Sequence, residues 1–218
     1  MQKTKLLIFD IDGTLVDSTT AYHKVVIKAM QEMGFVTIDT NFNALKHHTD
    51  SYALLFNYEK NFNQRFSEAL LDDFEELLVK YLKKQSPTVE IKGAKQSIEE
   101  LKKSEYAIVF ATGSLPKAAL LKMKEAGIWI DPEVLATSKT SFTREGFVLE
   151  AIGKAKSYYN VTDFEKIIAV GDGVWDLKTA QNLDIDFIGI GAKNKELMEQ
   201  EGMQHWFKDF TNFDLSKV

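Results

Sequence analysis

The chain contains no cysteine and only three prolines among its 218 residues. Without cysteine there can be no disulfide, no thiolate metal site and no cysteine nucleophile. The absence also suits a reducing compartment, and we therefore expect a cytoplasmic protein. A net charge of -5 argues against nucleic-acid binding through a broad basic surface, so a small solute is the expected partner.

Long apolar runs are missing as well. No uncharged apolar stretch approaches the length that spans a membrane, and the N-terminal run meets Asp10 too soon to form the core of a signal peptide. We therefore expect no membrane partner. Hydrophobic residues nevertheless make up 44% of the chain, which suffices for one large core or for a core with a smaller appended unit.

The second half of the chain alternates short apolar runs with helical patterns. The apolar runs predict strands at residues 106–111, 134–137, 167–170 and 187–190. The segments between and after them predict helices at residues 118–126, 146–159 and 177–183. Strands that alternate with helices indicate a parallel sheet covered on both faces, so the predicted fold class is α/β, doubly wound.

Residues 18–89 show a different pattern. Apolar residues recur at helical spacing in three successive segments, and no strand pattern interrupts them. Pro87 lies where a boundary is expected. We predict a helical insertion at 18–89, set into an α/β core formed by residues 1–17 and 90–218. Within this insertion the adjacent His47 and His48 would point in different directions on a helix, which favours packing or surface roles over metal binding.

Two aspartates two residues apart end the first apolar run. Because side chains alternate along a strand, Asp10 and Asp12 would project to the same side. Carboxylates this close raise each other's pKa unless a cation or a proton separates them, so the pair favours a metal site or acid–base chemistry over a simple acidic turn. A second acidic group, Asp172 and Asp176, directly follows the predicted strand at 167–170.

The carboxyl ends of the predicted strands would bring these groups together, since ligands of open α/β sheets bind at that edge. Thr112, Gly113 and Ser114 follow one strand, and Lys139 and Arg144 follow another. Oxygen ligands of this kind suit Mg²⁺. A hydroxyl and main-chain amides at the start of a helix suit a phosphate. The combination is typical of phosphoryl transfer, in which an aspartate can attack phosphorus.

The sequence resembles the haloacid dehalogenase superfamily at this point. The family has an Asp-x-Asp-Gly-Thr motif, a Thr or Ser after a core strand, a basic residue and a Gly-Asp-x-x-x-Asp motif, in that order. The chain has these motifs at residues 10–14, at Thr112, at a basic candidate and at residues 171–176. The helical insertion matches the cap of the phosphoglycolate phosphatase and beta-phosphoglucomutase subgroup.

The resemblance implies a role for each motif residue. Asp10 would be the nucleophile and a Mg²⁺ ligand, while Asp12 would protonate the leaving oxygen, activate the attacking water and bind the metal through its carbonyl. Thr112 and Gly113 would hold the phosphoryl group. Asp172 would complete the metal ligands. Behind these ligands the resemblance places Asp176, which would orient metal-bound water, and Thr14.

The basic residue is where the chain departs from the family pattern. The family usually places a lysine at the start of the helix before the last motif, whereas this chain has Arg144 there. Arginine is rare in the chain, and its planar fork can hold a phosphate or carboxylate through two hydrogen bonds. We therefore favour Arg144 as the residue that binds the phosphoryl group, with Lys139 as the alternative.

Several activities are compatible with parts of this pattern. A dehalogenase usually lacks the second aspartate, and a response-regulator receiver carries its phosphorylated aspartate after a later strand and has no large helical insertion. A phosphomutase shares the whole core. We predict a Mg²⁺-dependent phosphatase that hydrolyses a small phosphorylated metabolite through an aspartyl-phosphate, with a phosphomutase as the alternative and, from another class, a phospho-accepting signalling domain.

Overall fold

A computed structural model describes residues 2–42, 45–62 and 64–217. The domains predicted from the sequence include five residues that lie outside these ranges. They are the two chain ends, Met1 and Val218, in the predicted core, and Asn43, Ala44 and Asn63 in the predicted insertion. No helix within the described ranges is both long and apolar enough to cross a membrane.

Six strands form one parallel sheet, and two shorter strands pair separately. In chain order the strands are β1 (Lys5–Phe9), β2 (Val16–Asp17), β3 (Val89–Glu90), β4 (Tyr106–Thr112), β5 (Leu135–Thr137), β6 (Lys166–Gly171), β7 (Asp186–Ile190) and β8 (His205–Phe207). The order across the large sheet is β5-β4-β1-β6-β7-β8. β1 therefore lies in the middle, between β4 and β6, where its apolar residues are buried on both faces.

Eight α-helices accompany the strands in the described ranges. They are α1 (Thr19–Glu32), α2 (Asp50–Asn61), α3 (Leu70–Leu82), α4 (Ala94–Leu101), α5 (Pro116–Glu125), α6 (Arg144–Tyr158), α7 (Val174–Asn182) and α8 (Lys195–Gln200). From β4 onward, helices and strands alternate as the sequence predicts. The predicted α/β fold with a parallel sheet is confirmed.

Helices α1, α2 and α3 lie between β2 and β3 and pack around a hydrophobic cluster of their own. Phe74, Leu54 and Met30 are fully buried in that cluster, and Leu115 and Ala118 of the core close its base. The antiparallel pair formed by β2 and β3 joins the start and the end of this segment. The helical character of the segment agrees with the sequence pattern, and its limits as a separate domain stay a prediction.

The sequence analysis missed several short elements. Strand β8, helix α8 and the β2–β3 pair have no counterpart among the predicted elements. Two or three residues are too few to show a period, so tertiary hydrogen bonds rather than local pattern define these strands. β8 extends the sheet beyond β7 through the pairs Ile188–His205 and Ile190–Phe207.

Candidate active site

Three central strands end side by side and carry the predicted site residues. Phe9, the last residue of β1, pairs with Phe110 of β4 on one side and with Val170 of β6 on the other. Asp10 follows directly after β1. Its main-chain N–H donates to the Val170 carbonyl at 2.9 Å, which fixes the start of the loop. The predicted meeting of the motifs at one edge of the sheet is what the structure shows.

Three carboxylates from two of these strand ends form a compact cluster. Asp10, Asp172 and Asp176 offer oxygen atoms that all lie within 4.8 Å of one another. Asp10 and Asp176 are almost completely buried. One oxygen of the group, Oδ1 of Asp172, is buried and has no hydrogen-bond partner among the described residues. Buried carboxylate oxygens are nearly always bonded, so an orphan here fits a position that faces a cation.

The pKa values of this cluster show the same need for positive charge. Burial raises the pKa of Asp172 to about 7, and the nearby charge of Asp176 adds to the effect. Burial and then the charge of Asp176 hold the pKa of Asp10 well above its usual range. A divalent cation at this cluster would favour the ionised carboxylates. The donor set consists of hard oxygens, which is the type that Mg²⁺ prefers.

Arg144 supplies one positive charge inside the cluster. Its guanidinium Nη2 donates to Asp10 Oδ1 at 3.1 Å and also to Asp176 Oδ1. Thr143 caps α6 by accepting a hydrogen bond from the Gly146 N–H at 3.2 Å, which places Arg144 at the first position of the helix. Burial acts to lower the pKa of Arg144, but the charges of Asp176 and Asp10 outweigh it and raise the pKa.

The two candidates for the basic residue occupy different places. Lys139, the alternative to Arg144, bonds Asp72 Oδ1 at 2.5 Å and Glu75 Oε2 at 3.3 Å, both on α3. Glu75 is buried, so this ion pair joins α3 to the core rather than reaching Asp10. Of the two residues, only Arg144 contacts the carboxylate cluster.

Asp176 has both of its oxygens engaged. Arg144 donates to Oδ1, and the N–H of Gly173, the residue just before α7, donates to Oδ2 at 3.1 Å. A direct bond to a metal would compete with these contacts. The arrangement is compatible with the predicted place of Asp176 behind the metal ligands, where it orients Arg144 as well.

The Asp12 carboxylate pairs with Lys122 of helix α5 rather than with Arg144. Lys122 Nζ lies 2.6 Å from each Asp12 oxygen, Ser114 Oγ donates to Oδ2 at 2.7 Å, and Ser18 Oγ donates to Oδ1. Burial acts to raise the pKa of Asp12. The charge and the hydrogen bonds of the Lys122 ammonium outweigh burial, so the pKa lies below its usual range. The Asp12 carboxylate therefore does not belong to the cluster of Asp10, Asp172 and Asp176. The ligand predicted for Asp12 is its main-chain carbonyl, and that role stays a prediction.

The loop after β4 is where the sequence predicts that the phosphate binds. Thr112 is buried, and its hydroxyl accepts a hydrogen bond from the Ser114 N–H at 3.1 Å. Helix α5 begins at Pro116, so its N-terminal dipole points toward this loop. A Cβ on Gly113 would overlap the main-chain oxygen of His48, which explains why a glycine is needed where the two segments meet.

The first motif packs tightly against the last one. Gly13 has a φ of 85°, and a Cβ there would overlap the Asp172 carboxylate. Any other residue would therefore be strained and would displace the Asp172 carboxylate. Thr14 is fully buried, and its hydroxyl lies 3.4 Å from Asp10 Oδ2. Gly13 and Thr14 therefore pack against the carboxylates of Asp172 and Asp10, respectively.

A single pocket connects this edge of the sheet to the helical segment. Its core wall includes Asp10, Asp12, Thr112 and Arg144. The opposite wall comes from α1, α2 and the chain between them, and no lysine or arginine of the described insertion lines it. That wall consists of Thr19, Tyr22, His23, Val26, Phe42, Leu45, His48, Thr49, Asp50 and Ala53. The exposed Lys193, after β7, lies at the core side.

The adjacent histidines have different surroundings. The His48 ring stacks on Trp175 with 4.2 Å between ring centroids, and its carbonyl accepts from Arg144 Nη1 at 3.2 Å. Burial and then the charge of Arg144 lower the pKa of His48 to about 4. The His47 ring packs against Tyr52 instead. Neither histidine belongs to the cluster of Asp10, Asp172 and Asp176.

The sequence analysis missed three buried residues beside Asp12. They are Lys122, Asp50 and Tyr22. The hydroxyl of Tyr22 donates to Asp50 Oδ2. Burial raises the pKa of Asp50 to about 6, although Lys122 acts against the shift. Lys122 belongs to a helix with three further lysine or glutamate residues, so nothing in its sequence context separates it from the exposed ones.

The chain is similar in sequence to known proteins. A sequence model of the family described as haloacid dehalogenase-like hydrolase matches residues 4–184. The phosphoserine phosphatase of Methanocaldococcus jannaschii is 26% identical over 185 residues, which cover 81% of each chain.

Solved structures show the same fold. A hydrolase from Pseudomonas syringae aligns with a TM-score of 0.73 at 20% identity, covering 99% of both chains. CbbY from Rhodobacter sphaeroides, solved in complex with phosphate, aligns with a TM-score of 0.73 at 14% identity and covers 96% of both chains. Since the family model matches far more than half of the chain, the protein belongs to the haloacid dehalogenase-like hydrolases.

Proposed function

We propose that the protein is a Mg²⁺-dependent phosphatase that hydrolyses a small phosphorylated metabolite. The observation that carries the proposal is the cluster of Asp10, Asp172 and Asp176, with the unpartnered Asp172 oxygen, beside the Thr112 loop. The phosphoserine phosphatase relative supports a phosphomonoester as the substrate. The expected cytoplasmic location stays a prediction.

Asp10 and Asp172 are the residues that would hold the metal, together with the carbonyl of Asp12. When bound, Mg²⁺ supplies positive charge to the phosphate oxygens and to the carboxylates. The Thr112 hydroxyl and the amides of the following loop would hold the phosphoryl group, and Arg144 would add a fixed charge next to Asp10.

Hydrolysis would proceed in two displacements at phosphorus. The phosphomonoester would bring one proton as its monoanion, and Asp12, which is paired as a carboxylate with Lys122, would relay that proton. An Asp10 oxygen attacks phosphorus and the ester P–O bond breaks, while Asp12 passes the proton to the leaving oxygen. Water then attacks the aspartyl-phosphate, and Asp12 takes a proton from the water and passes it to the inorganic phosphate that is released. This sequence restores the carboxylates of Asp10 and Asp12 and uses each in the role that the resemblance implies.

The cap side of the pocket supports a phosphatase over a phosphomutase. A mutase must hold a second phosphate on its intermediate, which calls for cationic side chains opposite the nucleophile. The described part of the insertion contributes none to the pocket wall, and its Arg65 is exposed elsewhere. We therefore expect free phosphate to be released as fast as substrate is consumed, without a bisphosphate activator.

A panel of phosphomonoesters assayed with Mg²⁺ tests the proposal. The panel should include phosphoserine, phosphoglycolate and a hexose phosphate, with released phosphate as the readout. EDTA should stop the reaction and added Mg²⁺ should restore it, while Asp172→Ala should raise the Mg²⁺ concentration required. Full activity in metal-free buffer would contradict the site. Phosphorus NMR of the hexose-phosphate reaction separates the two activities, because a mutase would accumulate an isomeric sugar phosphate.

A further inference from the structure

The helix after the Thr112 loop carries one lysine whose side chain is completely buried. Lys122 has no solvent exposure, whereas Lys124, two residues along α5, is exposed. Burying an ammonium is costly unless a charged partner and hydrogen bonds compensate it. The ion pair with Asp12 provides that compensation, with Nζ 2.6 Å from both carboxylate oxygens. The position of Lys122 is therefore tied to the carboxylate of Asp12.

Lys122 makes the most extensive set of contacts to Asp12. Ser114 and Ser18 each donate to one Asp12 oxygen, whereas Lys122 spans both. Lys122 also donates to Ser114 Oγ at 2.8 Å, so it aligns the serine that bonds Asp12. Without the ammonium, the carboxylate would lose its contact across both oxygens and could rotate about its side-chain bonds.

A residue of the predicted insertion also contacts the Lys122 ammonium. The Tyr22 ring of α1 lies with its centroid 3.7 Å from Lys122 Nζ, a distance at which the ring face attracts the charge. Tyr22 donates to Asp50 on α2, and Asp50 Oδ2 in turn accepts from the Leu115 N–H at 2.9 Å. Lys122 is thus enclosed by residues of the core and of the insertion together.

We propose that Lys122 is a positioning residue for the reaction, which holds the Asp12 carboxylate in place beside the leaving oxygen of the substrate. This inference rests on the proposed function, because it assumes that Asp12 transfers the proton to that oxygen. Lys122 itself need not touch the substrate, and it is not among the residues that line the pocket. Its effect would pass through Asp12, whose carboxylate must lie within hydrogen-bond reach of the leaving oxygen.

A pair of substrates that differ only in the basicity of the leaving oxygen tests this role. Phenyl phosphate leaves as a strongly basic oxyanion and needs the proton, whereas 4-nitrophenyl phosphate leaves as a stable anion and needs it much less. Lys122→Met removes the ammonium and keeps a long apolar side chain. The first-turnover release of each phenol, measured by rapid quench with Mg²⁺, isolates the step in which Asp12 gives the proton.

We expect Lys122→Met to slow phenol release from phenyl phosphate by about 10²-fold, which is the effect of misplacing a catalytic group by about 1 Å. Release from 4-nitrophenyl phosphate should fall less than about threefold, because that leaving group depends little on the acid. Inhibition by inorganic phosphate should not change, since Asp10, Thr112 and Arg144 remain. An equal fall with both esters would overturn the inference, because general damage to the site does not depend on the leaving group.

Two further variants keep the test decisive. Lys124→Met on the same helix is the matched control and should leave both rates unchanged, because that side chain is exposed. Ser114→Ala removes a smaller part of the same support and answers the question if Lys122→Met does not fold. It should lower the phenyl phosphate rate by about tenfold and spare the nitrophenyl ester, and an unchanged ratio of the two rates would contradict the inference.

The outcome also separates this inference from the proposed function. A wild-type enzyme that releases phosphate from the panel and a Lys122→Met variant with an unchanged ratio would leave the phosphatase standing and remove the role of Lys122. Failure of the wild type to release phosphate from any ester would overturn the phosphatase itself, and the positioning role with it.

Discussion

The two walls of the pocket are built in different ways. On the core wall, Arg144 begins α6 and donates to Asp10, which directly follows β1. Arg144 also donates to Asp176, which lies behind this wall in the first turn of α7. The cap wall is the opposite wall, which comes from α1, α2 and the chain between them. Val26, Phe42 and other apolar side chains line it, and no lysine or arginine of the described insertion does. We therefore expect the core wall to carry the chemistry and the cap wall to select the leaving group by shape.

The core wall would lose its function with a single nucleophile change. We expect Asp10→Asn to abolish phosphate release while the fold remains intact, because an amide neither attacks phosphorus nor binds Mg²⁺ comparably. Asp17→Asn, an exposed neighbour on β2, is the matched control and should be fully active. Activity of Asp10→Asn within about tenfold of wild type, a difference of only ~1.4 kcal/mol in the barrier, would contradict a covalent mechanism.

Arg144 should come next in size. Arg144→Ala removes a preorganised charge beside Asp10 and should lower kcat by about 10² to 10³, with Arg144→Lys between that value and wild type. Lys139→Ala should change kcat less than about twofold, because Lys139 pairs with α3 rather than with the cluster. Steady-state assays of the three variants check this order. A larger loss at Lys139 than at Arg144 would reverse the assignment of the basic residue.

Changes on the cap wall should affect binding rather than the chemical step. Val26 lines the pocket, and Val26→Ala should raise KM for the best substrate of the panel about fivefold, or ~1 kcal/mol, with kcat nearly unchanged. Val25, its neighbour on α1, is equally buried but lies outside the pocket lining. Val25→Ala should lower the melting temperature without changing KM. A fall in kcat without a rise in KM for Val26→Ala would assign the cap wall a role in the chemistry.

The smallest expected effect is on stability, where the cap meets the core. The pKa of His48 is lowered to about 4 in the folded protein, against about 6.5 for an unfolded histidine. Between these values the unfolded chain takes up a proton that the folded protein does not, so stability present above pH 6.5 is lost as the pH falls toward 4. We expect about 1 kcal/mol from this half-buried group, well below the unscreened value.

The free energy of unfolding, measured with urea at pH 7 and at pH 5, gives this loss of stability. The loss of stability between the two values should be smaller by that amount in His48→Gln than in wild type. His47→Gln should change the difference less, since the side chain of His47 is less buried and its pKa is lowered to a smaller extent. An identical pH dependence in wild type and His48→Gln would show that His48 is not protected from protonation in the folded state.

The sequence predicted one wall far better than the other. Motif residues such as Asp10, Asp12 and Asp172 follow buried strands whose alternation and parallel order fix where they meet. The sequence favours Arg144 over Lys139 because arginine is rare in the chain and its planar fork can hold a phosphate or carboxylate, and the structure brings Arg144 to Asp10. No short motif describes the cap wall, because its residues come from two stretches, 19–26 and 42–53, that meet only after folding.

Local pattern by itself determined the helices, the parallel sheet and the order of the acidic motifs, since period and spacing are properties of the chain. Only the tertiary structure decided which of the similar lysines would be buried. Lys122 and Lys124 differ by two positions on one helix, which turns them to different faces. One face meets Asp12 and Tyr22 and the other meets solvent. The sequence contains both lysines, but the partners that distinguish them lie far away along the chain.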